Sequence, residues 1–263
     1  MKTDFIILLT TILVGFSCSK RPDTHLNIGV NFKDIRVEYA LDKMLDVCNS
    51  VNYTTKLSNK IEKSNEINLI VDSAYALGVE DYEIRTRRHG FDVLASSTKG
   101  LLHGVIDVSN ELLNSGSLNA VDNKVVKAKV PFRAIKFNLP WFSYREGENL
   151  QLHYETCKDT AYWESFLDMM AENHFNTLTL WNLNPFVFFV KPASFPNSSP
   201  FTDQELDVWR VFWKKLFKMA KTRGIETYIV NWNIFVSEEF SKNYGVANYN
   251  ETWGYIGAGD TSD

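Results

Sequence analysis

The sequence lacks the short patterns that announce phosphate, nucleotide, zinc-protease or serine-hydrolase chemistry. There is no GxGxxG, no P-loop, no HExxH and no GxSxG elbow, and His153 and His174 show no ligand spacing. No cofactor and no metal site is therefore expected. Cysteine is scarce, with 3 residues in 263 and no CxxC pair, which speaks against a disulfide scaffold. Positive charge is not in excess: the net charge is −4 and no basic stripe appears, so nucleic acid is not an expected partner. The short basic run Arg85 to Arg88 reads as a solvated strand face, and His89 and His103 as turn and helix-surface residues. The apolar run Phe5 to Phe16 is too short for a comfortable membrane span.

That run matches instead the apolar region of a signal peptide. It ends in Gly15-Phe-Ser-Cys18 and is followed by polar Ser19-Lys-Arg-Pro-Asp23. A small residue just before a cysteine at this point resembles a bacterial lipobox, in which Cys18 becomes the lipidated first residue. The alternative is an ordinary secretory signal. Both imply export, and the lipobox implies a membrane-anchored lipoprotein in the periplasm or at the cell surface. Residues 1–18 are thus assigned to the signal and 19–27 to a tether.

From 28 to 126 the pattern is that of a small α+β domain. Val37, Ala40, Leu41, Met44, Leu45 and Cys48 make one apolar helix face. Ile67–Val71 reads as a buried strand, Tyr82–Arg87 as a half-exposed one and Phe91–Ala95 as the next. Ser97 to Leu113 reads as a helix, and a polar linker follows.

From 127 onward the period alternates between strand and helix. Strand-like Phe132–Asn138 precedes a helix over Tyr162–Phe175, with Asp159 or Thr160 as its cap and Trp163, Phe166, Leu167 and Met170 on its apolar face. Strand-like Thr177–Asn182 precedes a longer helix over Asp203–Arg223, opened by the capping box Thr202-Asp-Gln-Glu205. Strand-like Ile225–Asn233 closes the series. Alternation of this kind argues for parallel βα units, and hence for the first units of a (β/α)8 barrel. Only about three of the eight units fit before Asp263, so the chain is expected to be the front part of a longer enzyme. Trp163, Trp209 and Trp213 fall on helix faces that pack against the sheet and are assigned to the core.

Ligands of parallel α/β folds bind beyond the carboxyl ends of the strands. Those ends carry Asn138 and Trp141, Trp181 and Asn182, and Asn231, Trp232 and Asn233. Amides exchange hydrogen bonds with hydroxyls and indoles stack on sugar rings, so the clusters point to a carbohydrate pocket. Glycoside hydrolysis normally needs two carboxylates. Glu238 and Glu239 read as the first turn of a helix, where acids suit the dipole, and Glu146 and Glu148 lie in the loop after the first barrel strand.

Four passages resemble β-N-acetylhexosaminidase-type glycoside hydrolases, with related features in bacterial α-glucuronidases. They are Ala95-Ser-Ser-Thr-Lys-Gly-Leu-Leu-His-Gly104, Phe132-Arg133, the run Met170 to Leu180, and Ala220-Lys-Thr-Arg-Gly-Ile225. The resemblance implies an N-terminal α+β domain, a barrel and hydrolysis of a polysaccharide or oligosaccharide. It also implies that Arg133 binds sugar hydroxyls. Where those enzymes carry an acidic residue five positions on, this chain has Asn138, and Trp181-Asn-Leu-Asn-Pro185 replaces their His-rich second-strand tail. Their catalytic Asp-Glu pair follows the fourth strand, and no position here matches it. A non-catalytic carbohydrate-binding lipoprotein is the alternative reading.

Overall fold

The computed structural model describes residues 24–140, 147–182, 184–231 and 236–245, together with the short strand pair 249–250 and 254–255. Its first part is one sheet with two long helices. In chain order these are β1 (Thr24–Val30), α1 (Ile35–Ser50), β2 (Tyr53–Ser58), β3 (Ile67–Val71), β4 (Tyr82–Arg87), β5 (Gly90–Ala95), α2 (Thr98–Ser115) and β6 (Lys124–Val126). The strand order is β2-β1-β3-β5-β4-β6. The pairs β1–β2, β1–β3 and β3–β5 are parallel, whereas β4 runs antiparallel to both β5 and β6. Strand β1 takes in Thr24 to Asn27, which the sequence reading gave to the tether. Leu26 and Ile28 alternate into the core, and that anchors the segment in the sheet.

Alternation along the strands sends Leu26, Ile28, Ile67, Leu69, Ile84, Phe91 and Val93 to the same core, where Met44 of α1 and Leu101, Val105 and Leu112 of α2 meet them. Ser97 caps α2 by accepting from the amides of Lys99 and Gly100. The helix lies close on the sheet: a Cβ at Gly104 would stand 2.6 Å from Val93 Cγ1 and 2.9 Å from Tyr82 Cδ2. This close approach is also why His103 is 8% exposed and does not sit on the helix surface as the sequence pattern suggested.

The second part holds β7 (Ala134–Asn138), α3 (Gly147–Cys157), α4 (Thr160–Glu172), β8 (Thr177–Trp181), α5 (Asp203–Thr222), β9 (Glu226–Val230) and α6 (Glu238–Tyr244). Strands β7, β8 and β9 are parallel neighbours in that order, with Ala134, Thr177 and Glu226 in one row and Asn138, Trp181 and Val230 in another. Helix α3 stands where the sequence predicts a loop. It opens at Gly147 with φ 54, and its side chains make no clear apolar stripe, with Leu152 57% exposed while Cys157 is buried.

The core of this part is built on tryptophan. Trp163 and Trp209 are fully buried and Trp213 nearly so. A buried indole N–H needs an acceptor. Trp163 Nε1 donates to the Cys157 carbonyl at 2.8 Å, and Trp213 Nε1 donates to the Phe188 carbonyl at 2.9 Å. Cys48 and Cys157 are both free and buried in separate cores. Burial pushes their thiols up to about 11 and about 12, which removes them as nucleophiles at neutral pH.

The two parts meet through polar ties. Asp168 of α4 accepts from Tyr39 and Lys43 of α1, at 2.8 and 2.9 Å, and from Arg223 at 2.6 Å. Lys99 at the start of α2 pairs with Glu226 at 2.6 Å. Glu80, just before β4, binds Arg133 at 2.7 Å and Asn176 at 2.9 Å. Asn176 in turn accepts from the Arg133 amide and donates to the Pro131 carbonyl. One carboxylate of the first part thereby holds the starts of both β7 and β8.

Candidate functional site

Alternation divides the β7–β9 sheet into two faces. Ile135, Phe137, Leu178, Leu180 and Ile229 point to the helices and join the tryptophan core. The opposite face carries Ala134, Lys136 and Asn138 of β7, Thr177, Thr179 and Trp181 of β8, and Glu226, Tyr228 and Val230 of β9. In a (β/α)8 barrel this is the face that points inward. Here Lys136 and Asn138 are exposed, Trp181 is half-buried, and Tyr228 and Val230 are 49% and 37% exposed.

The carboxyl-end row of this face is the candidate site. The Lys136 ammonium stands 4.1 Å from the centre of the Trp181 ring, within the range of a cation–π contact. Asn138 lies beside Trp181 in the strand pairing. The row thus holds one indole and one amide. The Lys136 ammonium, which reaches over the indole, and the phenol of Tyr228 both come from the row one step closer to the amino ends. Such a set offers a stacking plane, a charge for an electron-rich oxygen, and hydrogen-bonding partners for hydroxyls.

The expected site residues divide accordingly. Asn138 and Trp181 share the open face. Asn182 does not: it is buried, its side chain donates to the Pro140 carbonyl at 2.7 Å, and its oxygen accepts from the Asn184 amide at 2.9 Å. It fastens the loop after β8 to the end of β7. Asn231 follows β9 outside the strand pairing and is half-buried. Trp141, Trp232, Asn233 and Glu146 lie outside the described residues, as does Cys18 with the rest of the signal region.

Arg133 requires the largest correction. The resemblance assigned it to sugar hydroxyls; the residue's place at the start of the first barrel strand left a buried structural pair with a carboxylate as the alternative. It stands at the amino end of β7, roughly 16 Å of extended chain from Asn138. Its guanidinium donates to Glu80 at 2.7 Å, to the His174 carbonyl at 2.6 Å and to the Val130 carbonyl. Burial works to raise the Glu80 carboxyl, and the hydrogen bonds from Asn176 and Arg133 outweigh it, leaving it below the ordinary range. Arg133 is therefore held as a structural ion pair at the end opposite the candidate site.

Lys136 and Tyr228 were missed. The signal for Lys136 was present, because strict alternation in Ala134-Ile-Lys-Phe-Asn138 puts it in step with Asn138. Tyr228 stands in the middle of Ile225 to Val230, and the sequence reading considered only the residues at the strand's carboxyl end. Glu148 is exposed in the first turn of α3, and Glu238 and Glu239 open α6 behind the cap Ser237, as the sequence indicated. Among the described residues no group of three or more His, Cys, Asp or Glu is placed to hold a metal ion, and no helix is long and apolar enough to cross a membrane.

No protein-family model matches the sequence, and no curated protein is similar to it at a significant level. Solved structures are. A GH138 enzyme targeting pectin rhamnogalacturonan II superposes with a TM-score of 0.75 at 21% identity, over 84% of this chain and 33% of that one. A mutant β-hexosaminidase of Streptomyces plicatus, in complex with its product GlcNAc, gives 0.58 at 15% identity, over 88% of this chain and 47% of that one. The GH20 exo-β-N-acetylglucosaminidase of Vibrio harveyi gives 0.55 at 12% identity, over 89% and 38%. The chain thus spans between about a third and a half of the length of these enzymes. At such identities the likeness concerns the fold: a glycoside-hydrolase-like α/β architecture, with a small α+β domain followed by the first βα units of a barrel.

Proposed function

We propose that this chain supplies one wall of the substrate cleft of an exported glycoside hydrolase acting on a polysaccharide or oligosaccharide. The observation that supports the reading most is the open inner face, where Lys136 stacks on Trp181 beside Asn138 in a fold shared with glycoside hydrolases. The sugar ring lies against Trp181, and Asn138 and Tyr228 exchange hydrogen bonds with its hydroxyls. The general acid and its partner carboxylate stand on other strands, because Glu148 and Glu239 sit in first turns of helices and Glu226 is paired with Lys99. In the same reading Cys18 carries a lipid that anchors the exported protein, and Cys18→Ala moves it from the membrane to the soluble fraction.

The test uses the natural gene product with a panel of N-acetylhexosaminides, uronides and pectic oligosaccharides. Turnover of at least one class, reduced tenfold or more by Trp181→Ala, is the expected result. Turnover that ignores both Trp181→Ala and Lys136→Ala removes the inner face from the site. A carbohydrate-binding lipoprotein without catalysis is the second reading, favoured by an inner face whose described residues bring Trp181, Tyr228 and Asn138 together without a free carboxylate pair. Its signature is saturable sugar binding, lost with Trp181→Ala, and no turnover of any substrate.

A further inference from the structure

Between the two parts, away from the candidate site, lies a pair of histidines that the proposed function does not use. His103 comes from the middle of α2, and His174 from just after α4, at φ 57. Their Nδ1 atoms are 2.9 Å apart and their ring centres 4.6 Å apart. His174 Nε2 stands 2.7 Å from Asp107 Oδ1, and Tyr82 donates its phenol hydrogen to the other oxygen of the same carboxylate. They border a cavity of about 300 Å³ whose wall includes Glu80, Lys129 and Arg133.

The positions of the hydrogens follow from the geometry. Asp107 is ionised: burial works to raise it, and the hydrogen bonds from His174 and Tyr82 outweigh this and hold it below the ordinary range. A carboxylate only accepts, so His174 Nε2 carries a hydrogen. In neutral His174 the Nδ1 is then an acceptor, and His103 Nδ1 must be the donor that meets it. The chain of bonds runs in one direction, from His103 through His174 to Asp107. One added proton is tolerated: His174 becomes an imidazolium beside Asp107, and His103 shifts its own hydrogen to Nε2 and accepts. A second is not, because two N–H groups would then face each other at 2.9 Å with two positive charges behind them.

We propose that His103 and His174 form a one-proton clasp between the N-terminal domain and the barrel units, closed when the pair holds no added proton or one, and parted when it holds two. The groups that face the pair set its threshold. Asp107 and Glu80 favour added charge, while Arg133 opposes it. Lys124 offsets Asp107, and Lys124 is itself paired with Glu111. Lys129 stands across the cavity. Burial, followed by the charge of His174, pushes His103 down to about 4. Stability linked to His103 is therefore complete above its free value of 6.5 and is lost as pH falls from there towards 4. With His103 exposed to solvent in the parted state, the opening equilibrium rises roughly a hundredfold between neutrality and pH 4.

Amide hydrogen exchange on the natural gene product, corrected for the intrinsic pH dependence of exchange, reads this directly. Protection over 101–107 and 170–176 should fall by about two orders of magnitude between pH 7 and pH 4. In His103→Gln, whose side-chain amide still donates to His174 but cannot titrate, that loss should shrink to tenfold or less. Equal losses in the two proteins overturn the clasp. Should the variant not fold, imidazole NMR of the unaltered protein decides. Two separate titration steps for the pair, the lower one accompanied by loss of protection, support it. Joint titration near pH 6.5 with protection intact overturns it.

Discussion

The two parts of the molecule solve the same packing problem differently. The N-terminal sheet turns a dense aliphatic face to α1 and α2, and several polar residues on its other face are bonded to one another. Asn68, for example, donates to Asp92 at 2.8 Å, and Asp92 pairs with Arg87. The β7–β9 sheet is also sealed on its helix side, by aromatic residues where the first part uses aliphatic ones. Its inner face is left with Lys136, Asn138, Trp181, Tyr228 and Val230 half-buried or exposed. A face whose polar groups are bonded to one another serves stability. A face with an indole, a cation and an amide left accessible is where chemistry is possible.

All 7 tryptophans lie beyond residue 140, so indole fluorescence reports only the second part, and the two regions can be followed separately. The largest expected effect is Trp163→Ala, which should destabilise the barrel units by about 3–5 kcal/mol through an unfilled cavity and an unpaired Cys157 carbonyl. Urea unfolding followed by fluorescence should shift strongly, while hydrogen exchange in α1 and α2 changes less. Equal loss in both regions would show that they fold as one unit.

Next comes the junction. Arg133→Ala leaves Glu80 with one partner fewer, and for a pair whose side chains are 19% and 12% exposed a cost of about 2–3 kcal/mol is expected. Sugar binding, measured by calorimetry, should be unchanged. A selective loss of binding at intact stability would restore the sugar-contact role that the geometry denies it.

Acid should loosen this junction. Glu80, Asp107 and Asp168 are all held below their ordinary values, in each case because hydrogen-bonding partners overcome the opposing effect of burial. A lowered folded value means stability that is present above the unfolded value, near pH 4, and lost as pH falls through the folded one. His103, also lowered, begins the loss earlier, from about pH 6.5 down to about 4. Thermal unfolding at stepped pH should show stability falling in that order. A melting temperature flat from pH 7 to pH 3.5 would contradict the assignment.

Smaller effects are expected from the surfaces that define each region. Gly104→Ala should cost about 1–3 kcal/mol by pushing α2 off β4 and β5, despite the better helix propensity of alanine. Lys136→Ala should change stability by less than about 1 kcal/mol, since an exposed cation–π contact is worth no more. Its effect should appear in carbohydrate affinity instead. A large loss of stability from Lys136→Ala would mean that the inner face is core and not a binding wall.

Much of the fold was legible in periodicity. The stripe of Trp209, Trp213 and Leu216 and the capping box at Thr202 fixed α5, and both are present as expected. Helix α3 was not legible, because its residues lack a stripe, and β2 went unread, because Tyr53–Ser58 is a half-exposed edge strand. The site was legible only in part. Asn138 and Trp181 could be placed at strand ends by counting, but a strand end has two faces, and counting along one strand does not say which neighbour shares a face. Asn182 turned inward to bond Pro140, and that outcome depends on the β7–β8 register.

The sequence by itself determined the βα alternation, the capped helices and the burial of Trp163, Trp209 and Trp213, because these follow from periods and local hydrogen bonds within a few residues. Tertiary structure alone decided that Arg133 belongs to Glu80, 53 positions away, that His103 meets His174 across 71 positions, and that Lys136 lies over Trp181. Those choices turn on which charged or aromatic group stands within about 4 Å of another once two separately patterned regions have docked, and no local period in the chain encodes that distance.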